Sequence, residues 1–240
     1  MTLMSDYYAQ NLRRESFMDE CRATIRACAQ DGTIAAGRVI LSQLSPDAGK
    51  VIGEEELVRL AAENDQSEMI ELLLQHRANI DHDTRGTPAA AAAAFCKRKA
   101  LGVLLRRDAS LLSLPSTQSE TTLLHEITAG TSSQMESELT MNLIKEEFCN
   151  RFDRVVDNFD DRGLTALHQA VIWSSGANVE NLLLLGATDC PVRGTTVTTT
   201  GLAQLALEQP PWLIAQQGHR RVEKYKHEVE TYIRVLGRLS

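Results

Sequence analysis

The sequence predicts an all-α fold, an α-solenoid of about six helix-turn-helix repeats with terminal capping helices. Three observations lead to this prediction. Apolar residues form pairs of short stripes at helical spacing, and the pairs return every 31 to 43 residues along the chain. Aromatic residues make up only 5% of the 240 residues, so a core must be built from Ala, Leu, Ile and Val. Small and aliphatic side chains of this kind suit short helices that stack closely.

The clearest unit lies at residues 57–81 and reads LVRLAAENDQSEMIELLLQHRANID. Its apolar residues form two stripes at helical spacing, one on either side of the polar segment 63–67. These residues are Leu57, Leu60, Ala61, Met69, Ile70, Leu73 and Leu74. Neither short helix could bury its apolar face alone, so each requires a neighbour.

A small or apolar residue marks the middle of the first helix in each predicted unit. The markers are Cys28, Ala61, Ala92, Ile127, Ala170 and Ala206, at successive spacings of 33, 31, 35, 43 and 36 residues. A second helix rich in Leu, Val or Ile follows four markers at a nearly constant distance, at 39–41, 72–74, 103–105 and 182–184. The longest spacing indicates an insertion of about ten residues relative to a repeat of about 33. We place this insertion near 129–158, with a lengthened helix over about 135–152.

The chain is predicted to form one domain over residues 1–240. Residues 1–20 are assigned to an N-terminal capping helix, 20–210 to the repeats and 211–240 to a C-terminal capping helix, since terminal repeats need a polar outer face. The Thr-rich segment 190–201 is predicted to be a loop that leads into a short helix over 202–208. Pro210 and Pro211 end that helix because proline has no backbone amide to donate. The last helix is expected over about 218–236.

Residues 163–170, GLTALHQA, resemble the ankyrin-repeat signature T-P-L-H-x-A. Residues 122–127, TLLHEI, are a weaker copy, and residues 86–90, GTPAA, keep the Thr-Pro pair. The segments 77–81, 108–109 and 186–187 resemble the turn G-A-x-x-N/D that ends a repeat in this family. The resemblance extends over about residues 20–210. It implies an irregular, divergent member of the ankyrin-repeat family.

The residues of the signature have physical roles at helix starts. Thr165 can cap the free amides of the helix that follows, and Pro88 has the backbone angle that a first helical turn needs. His125 and His168 stand at the histidine of the signature, and the resemblance implies that they tie loop backbone together. Arg77 stands where the family has glycine, so the turn there is expected to be strained or reshaped.

The sequence contains no motif for a catalytic, metal or cofactor site. An EF-hand starting at Asp157 would need oxygen ligands at its third and twelfth positions, where the sequence has Phe159 and His168. Turn chemistry before a helix explains the acidic residues of this region better. P-loop, nucleophile-elbow, H-E-x-x-H and dinucleotide motifs are missing, and the five cysteines lack the paired spacing of zinc or disulfide frameworks. We therefore expect no enzyme activity, metal or cofactor.

The ankyrin resemblance implies a non-enzymatic module that binds another protein on its concave face, formed by turns and first helices. Carrying the family's contact positions over one at a time gives a candidate partner-binding surface. Its residues are Arg85, Phe95, Asp161, Arg162, Leu164, Ile172 and Trp173. Aromatic and arginine side chains are enriched at binding hot spots. The formal net charge of −7, without a dominant basic cluster, argues against nucleic acid as the partner.

Residues 1–20 lack the apolar core of a secretory signal, and no stretch is long enough to span a membrane. We expect an intracellular monomer, cytoplasmic or nuclear, without membrane contact. Three alternatives stay open. The insertion 129–158 and the loop 190–201 could form an enzyme or small-molecule pocket against the groove, lined by His125, Asp157, His168 or Trp173. A poorly capped end could drive self-association, or the insertion or loop could cover Trp173.

Overall fold

The computed structural model of the chain describes residues 2–44, 56–78, 80, 86–115, 120–129, 133–148, 155–173, 176–208 and 219–237. These residues form twelve α-helices and one 3₁₀-helix, and they contain no β-sheet strand. The α-helices are α1 (Thr2–Asp31), α2 (Ile34–Leu44), α3 (Leu57–Glu63), α4 (Ser67–Gln75), α5 (Pro88–Ala94), α6 (Arg98–Arg107), α7 (Leu123–Ala129), α8 (Gln134–Phe148), α9 (Ala166–Ile172), α10 (Gly176–Leu184), α11 (Thr199–Glu208) and α12 (His219–Leu236). The 3₁₀-helix spans Ala109–Leu112.

The helices form two compact units. The first comprises Met1–Ala92 and Lys99–Arg107, and the second comprises Ala93–Arg98 and Asp108–Ser240. In the first unit α1 and α2 form one pair, and α3 and α4 form the next. The first helices α1 and α3 pack against each other, and so do the second helices α2 and α4. The assignment of residues 1–240 to one domain stays a prediction.

The second unit repeats this arrangement with three helix pairs, α7 with α8, α9 with α10 and α11 with α12. The first helices α7, α9 and α11 pack in one row, and the second helices α8, α10 and α12 pack in another. The last helix, predicted over about 218–236 as a cap, begins at His219 and packs on both α10 and α11. It therefore acts as the second helix of the last pair.

Burial confirms the repeat markers that the sequence supplies. All six markers are buried, with exposed fractions between 0% and 8%. Small side chains at these positions let neighbouring helices approach closely, and the surrounding leucines and isoleucines bury apolar surface worth about 25 cal/mol per Å². The predicted all-α helical-repeat fold is confirmed. Among the described residues, no helix combines the length and the apolar character needed to cross a membrane.

The predicted helix starts are confirmed as well. Thr165 precedes α9, and its hydroxyl accepts a hydrogen bond from the His168 amide at 3.3 Å. Thr87 precedes α5 in the same way and accepts from the Ala90 amide at 3.0 Å. Pro88 is the first residue of α5, where its missing amide would have had no helical partner.

Two predicted boundaries differ from the structure. α1 runs without a break through the predicted end of the capping helix at residue 20 and reaches Asp31. Its 30 residues contain neither Gly nor Pro, and the first glycine, Gly32, ends the helix with a φ of +73°. α11 begins at Thr199, three residues before the predicted start at 202. α8 starts at Gln134 as expected for a lengthened helix, but residues 149–152 of that prediction lie outside the described residues.

α4 and α10 end in the same type of turn. After α10, Gly186 has a φ of +94°, and the amides of Gly186 and Ala187 donate to carbonyls of the last helical turn. This is a Schellman motif, which favours glycine because glycine tolerates a positive φ. After α4, Arg77 takes the same position with a φ of +63°, and the amides of Arg77 and Ala78 make the equivalent bonds. The turn at Arg77 is therefore strained and keeps its shape.

Candidate functional site

Asp160 organises the loop that precedes α9. Its side chain is fully buried, and its Oδ1 accepts hydrogen bonds from the backbone amides of Arg162 and Leu164, at 3.0 and 2.8 Å. Its Oδ2 accepts from Nε and Nη2 of Arg162, at 3.2 and 3.0 Å, and from Nε2 of Gln169, at 3.0 Å. One carboxylate thus fixes the loop backbone and joins the loop to α9. This is the turn chemistry that the sequence predicts for the acidic residues here.

Opposing effects set the pKa of Asp160. Burial acts to raise it, but the hydrogen bonds from Leu164 and Arg162, the positive charge of Arg162 and the hydrogen bond from Gln169 outweigh burial and lower the pKa. The loop is therefore built around the charged form of the carboxyl group. The stability that this group contributes is complete above its unfolded pKa, about 3.9, and is lost as the pH falls through the lowered folded value.

The tip of the loop that contains Asp160 lies against Arg193 of the Thr-rich segment 190–201. Gly163 has a φ of +76°, and a Cβ atom added there would lie 2.7 Å from Cβ of Arg193. The Arg193 amide donates to the Gly163 carbonyl at 2.9 Å, and its guanidinium lies over the Phe159 ring, 5.6 Å from the centroid. Only glycine fits at position 163. Sequence reasoning missed this second arginine, although the glycines flanking the contact, Gly163 and Gly194, were a signal of close approach.

His125 and His168 hold their loops with equivalent hydrogen bonds. In each case the amide of the threonine three residues earlier donates to Nδ1, at 3.2 Å for His125 and 2.9 Å for His168, so the ring proton lies on Nε2. Nε2 donates to the carbonyl of Leu164 for His125 and of Cys190 for His168, at 3.0 and 3.1 Å. Both rings are buried, and this burial lowers the pKa of both imidazoles. The predicted structural role of the two histidines is confirmed.

Trp173 lies at the carboxyl end of α9, and Phe95 lies at the corresponding position after α5. Each is the first residue beyond a seven-residue helix, and each side chain is 43% exposed. Residues Ala166–Val171 of α9 are all buried, and Ile172 is half-buried. The carbonyl of Ile172 accepts a hydrogen bond from the hydroxyl of Tyr225 in α12 at 3.4 Å, and burial raises the pKa of this phenol to about 12.

The structure sorts the candidate partner-binding residues of the second unit into two patches. The loop-tip patch contains the exposed side chains of Asp161 and Arg162, with Phe159 and Arg193 beside them. The helix-end patch contains Ile172 and Trp173. The seven residues of α9 separate the patches by about 10 Å along the helix axis.

The other three candidate partner-binding residues, Leu164, Phe95 and Arg85, belong to neither patch. Leu164 is half-buried, and its backbone serves Asp160 and His125. Phe95 directly follows α5 and is distant from both patches in the sequence, and Arg85 lies outside the described residues. The residue Trp173 keeps 43% of its surface exposed, so the described parts of the insertion and of the Thr-rich loop do not bury it.

Two other aspartates, Asp157 and Asp189, are also occupied in loop contacts. Asp157 accepts hydrogen bonds from the amide and hydroxyl of Thr188, at 3.0 and 2.6 Å. Asp189 accepts the equivalent pair from Thr200, at 3.0 and 2.8 Å. Within the described part of the chain, no group of three or more His, Cys, Asp or Glu side chains could hold a metal ion.

The helix pairs, the threonine-histidine caps and the stacked loops define a helical-repeat protein. A family model of the ankyrin repeat matches residues 57–85, which include the unit that stands out most clearly in the sequence. The ankyrin resemblance is therefore confirmed for residues 57–85. Repeats of this type are typical of protein-interaction modules, because stacking creates an extended binding surface.

One of the solved structures with a similar fold is described as the predatory endopeptidase Bd0816 from Bdellovibrio bacteriovorus in complex with immunity protein Bd3460. The matching chain of that complex has a TM-score of 0.59 and 15% sequence identity to this chain. The match covers 86% of this chain and 96% of the other. At this identity the likeness shows the fold alone. No curated protein matches the chain.

Proposed function

We propose that the protein is a non-enzymatic module that binds another protein through the loop-tip and helix-end patches. The observation that carries the proposal is the exposure of Trp173. A large aromatic side chain keeps 43% of its surface in solvent directly after a helix whose other side chains are almost all buried. Exposed aromatic side chains and arginines supply much of the binding free energy at protein interfaces.

The loop-tip patch would add polar specificity to this apolar anchor. The Arg162 side chain is 63% exposed, yet its guanidinium is held by the buried carboxylate of Asp160. A side chain held in place loses little conformational entropy when a partner binds. Asp161 is exposed beside it and offers the opposite charge. The partner should therefore present an apolar pocket for Trp173 and, about 10 Å away, polar groups for Arg162 and Asp161.

Two further observations support a binding role. The three titratable residues of the pocket alternative, His125, Asp157 and His168, are each bonded to a neighbouring loop and are used to hold the fold. A chain of the same fold lies in a complex between an endopeptidase and an immunity protein, which is a protein–protein assembly. We place the protein in the cell interior, cytoplasmic or nuclear, as a monomer.

The test begins with immobilised protein and a lysate of the source organism, from which bound proteins are identified by mass spectrometry. The affinity of the purified partner is then measured for variants of each patch. Trp173→Ala is expected to weaken binding about 30-fold, which corresponds to the loss of about 2 kcal/mol at a hot spot. Arg162→Ala is expected to weaken binding about fivefold, since a partly exposed polar contact contributes about 1 kcal/mol.

Leu184→Ala is the matched control. Leu184 is 70% exposed at the end of the second helix α10, so its truncation removes an exposed apolar side chain outside both patches. Its affinity is expected to equal that of the wild type. An affinity unchanged by both Trp173→Ala and Arg162→Ala would show that the partner binds elsewhere.

A further inference from the structure

A groove of about 520 Å³ lies between the second helices α4 and α6, within the first unit. Glu71 and Leu74 of α4 form one side, Val103 and Arg107 of α6 form the other, and Arg77 stands in the turn after α4. Its volume falls within the range of about 300–1,000 Å³ that is usual for ligand-binding clefts. The groove lies on residues that the proposed function does not use.

The groove is basic in a chain that is acidic overall. Three arginines, Arg77, Arg106 and Arg107, and a single glutamate, Glu71, line it, whereas the whole chain has a net charge of −7. All three arginines are exposed, and α6 contains no acidic residue in its ten positions. A positive groove on a negative protein favours an anionic ligand at this place and repels it from most of the remaining surface.

The floor of the groove is apolar. Leu74 and Val103 are half-buried and line the groove together with the exposed charged side chains. A phosphate-rich ligand would gain nothing from these two side chains. An apolar side chain flanked by carboxylates would bury itself against them and pair its charges with the arginines. This combination points to a peptide chain with acidic and apolar residues.

Two backbone features place arginine side chains at the groove. Arg77 occupies the left-handed position that Gly186 takes in the equivalent turn after α10, so a residue poorly suited to the turn stands at the groove wall. Gly102 of α6 leaves room for the guanidinium of Arg106, whose two Nη atoms would lie 3.3 Å from a Cβ atom added there. The guanidinium thus lies along the helix and is partly ordered before a ligand arrives.

We propose that this groove binds an acidic segment of a partner protein. An apolar side chain of the segment packs on Leu74 and Val103, and carboxylates on either side of it pair with Arg77 and Arg107. The proposal is independent of the loop-tip and helix-end patches, all of whose residues belong to the second unit.

Fluorescence anisotropy of the full chain with a labelled peptide tests the proposal. The probe is a 12-residue peptide built from the repeat Glu-Glu-Leu, and its control has Gln in place of every Glu. The Glu peptide is expected to bind at least tenfold more tightly than the Gln peptide, since charge-assisted bonds are about twice as strong as neutral ones. Arg107→Gln and Arg77→Gly are each expected to weaken binding of the Glu peptide about tenfold.

Two of these variants separate binding from folding and from overall charge. Arg77→Gly removes the positive φ strain, so a loss of peptide binding cannot come from a loss of fold. Lys99→Gln changes the net charge as Arg107→Gln does, but Lys99 lies on α6 outside the groove lining, and this variant is expected to bind like the wild type.

Several outcomes would overturn the proposal. Equal affinity for the Glu and Gln peptides would exclude recognition of carboxylates, and an equal loss of affinity in Lys99→Gln and Arg107→Gln would show unspecific charge attraction. Unchanged affinity in both Arg107→Gln and Arg77→Gly would place the peptide elsewhere. A single-stranded 12-mer oligonucleotide or inorganic phosphate, added at the same concentration of negative charges as the Glu peptide, is expected not to displace that peptide. Displacement of the peptide by either competitor would identify a phosphate site instead.

Discussion

Asp160→Ala is expected to destabilise the protein by about 3 kcal/mol, because each buried donor left unpaired costs about 1–3 kcal/mol. The buried Nε2 of Gln169 and the amide of Leu164 both lose their acceptor in this variant. The guanidinium of Arg162 is largely exposed and turns to water. Most of the loss therefore comes from the two internal donors, not from the ion pair.

Two further variants separate the contributions of charge and of hydrogen bonding to the loss of stability expected for Asp160→Ala. Arg162→Gln removes an ion pair whose arginine is 63% exposed and whose carboxylate is buried. It is expected to cost about 1 kcal/mol, because the loop amides and Gln169 still donate to the carboxylate. Asp160→Asn keeps Oδ1 for the two loop amides, and the Gln169 amide can reverse to present its oxygen to the new amide group. Its expected cost is about 1 kcal/mol, since only the charge-assisted part of the bonds is lost.

Thermal unfolding followed by circular dichroism measures the order of the three variants. For a chain of this length 1 kcal/mol corresponds to about 2–4 °C in Tm, so Asp160→Ala should lower Tm by about 6–12 °C. Asp160→Asn and Arg162→Gln should each lower it by less than about 4 °C. If Arg162→Gln lowered Tm as much as Asp160→Ala, the ion pair would dominate and the reasoning from buried donors would be refuted.

Three other changes have directions fixed by the structure. The urea concentration at the midpoint of unfolding should decrease when the pH is lowered from 7.5 to 5.5. Below about pH 6.5 the unfolded chain protonates His125 and His168, whereas the folded chain keeps both rings neutral. Equal midpoints at the two pH values would contradict this prediction. Gly176→Ala would place a Cβ atom 2.6 Å from the hydroxyl of the buried Tyr232 and should lower Tm by several degrees. Gly201→Ala, within α11, should raise Tm slightly because alanine has the higher helix propensity. The reverse order of the two Tm values would refute the packing argument. Arg77→Gly should stabilise the chain by about 1 kcal/mol because glycine removes the cost of the left-handed conformation, and calorimetry showing a lower Tm would contradict it.

The helical repeats could be predicted from the sequence because burial in a stack is periodic. Ala61 and Ala170 stand at the centre of their units, and both are fully buried. The threonine caps could be predicted for the same reason, since a cap and its helix are adjacent in the chain. The continuous helix α1 was also encoded locally, by thirty residues without Gly or Pro, although the repeat pattern suggested a boundary near residue 20.

Contacts between neighbouring loops could not be predicted in the same way. Asp160 stands in a turn that the sequence identifies, but its burial depends on Gln169 of the following helix. The stacking of Arg193 on Phe159 joins residues 34 positions apart, and the register of successive loops sets that contact. Local patterns contain no information on this register when the repeat length varies.

The candidate surface shows a similar division. The exposure of Trp173 and Arg162 agrees with the positions that the ankyrin resemblance assigns. The separation of the two patches follows from burial of α9 along nearly its whole length. The sequence of this helix, ALHQAVI, contains no charged residue, and this was a signal that the helix has no solvent-facing side.

The hydrogen bonds of the two imidazole rings can form only in the order in which the chain is synthesised. The Nε2 atoms of His125 and His168 each donate to a carbonyl that lies later in the chain, 39 residues later for His125 and 22 for His168. Translation adds about 5–20 residues per second, so the acceptor for His125 is synthesised about 2–8 seconds after the histidine itself. During translation, each of these two histidines is therefore synthesised seconds before the loop carbonyl to which its Nε2 donates. Removal of the chain from residue 176 onward would strip His168 of its acceptor and leave that of His125 in place.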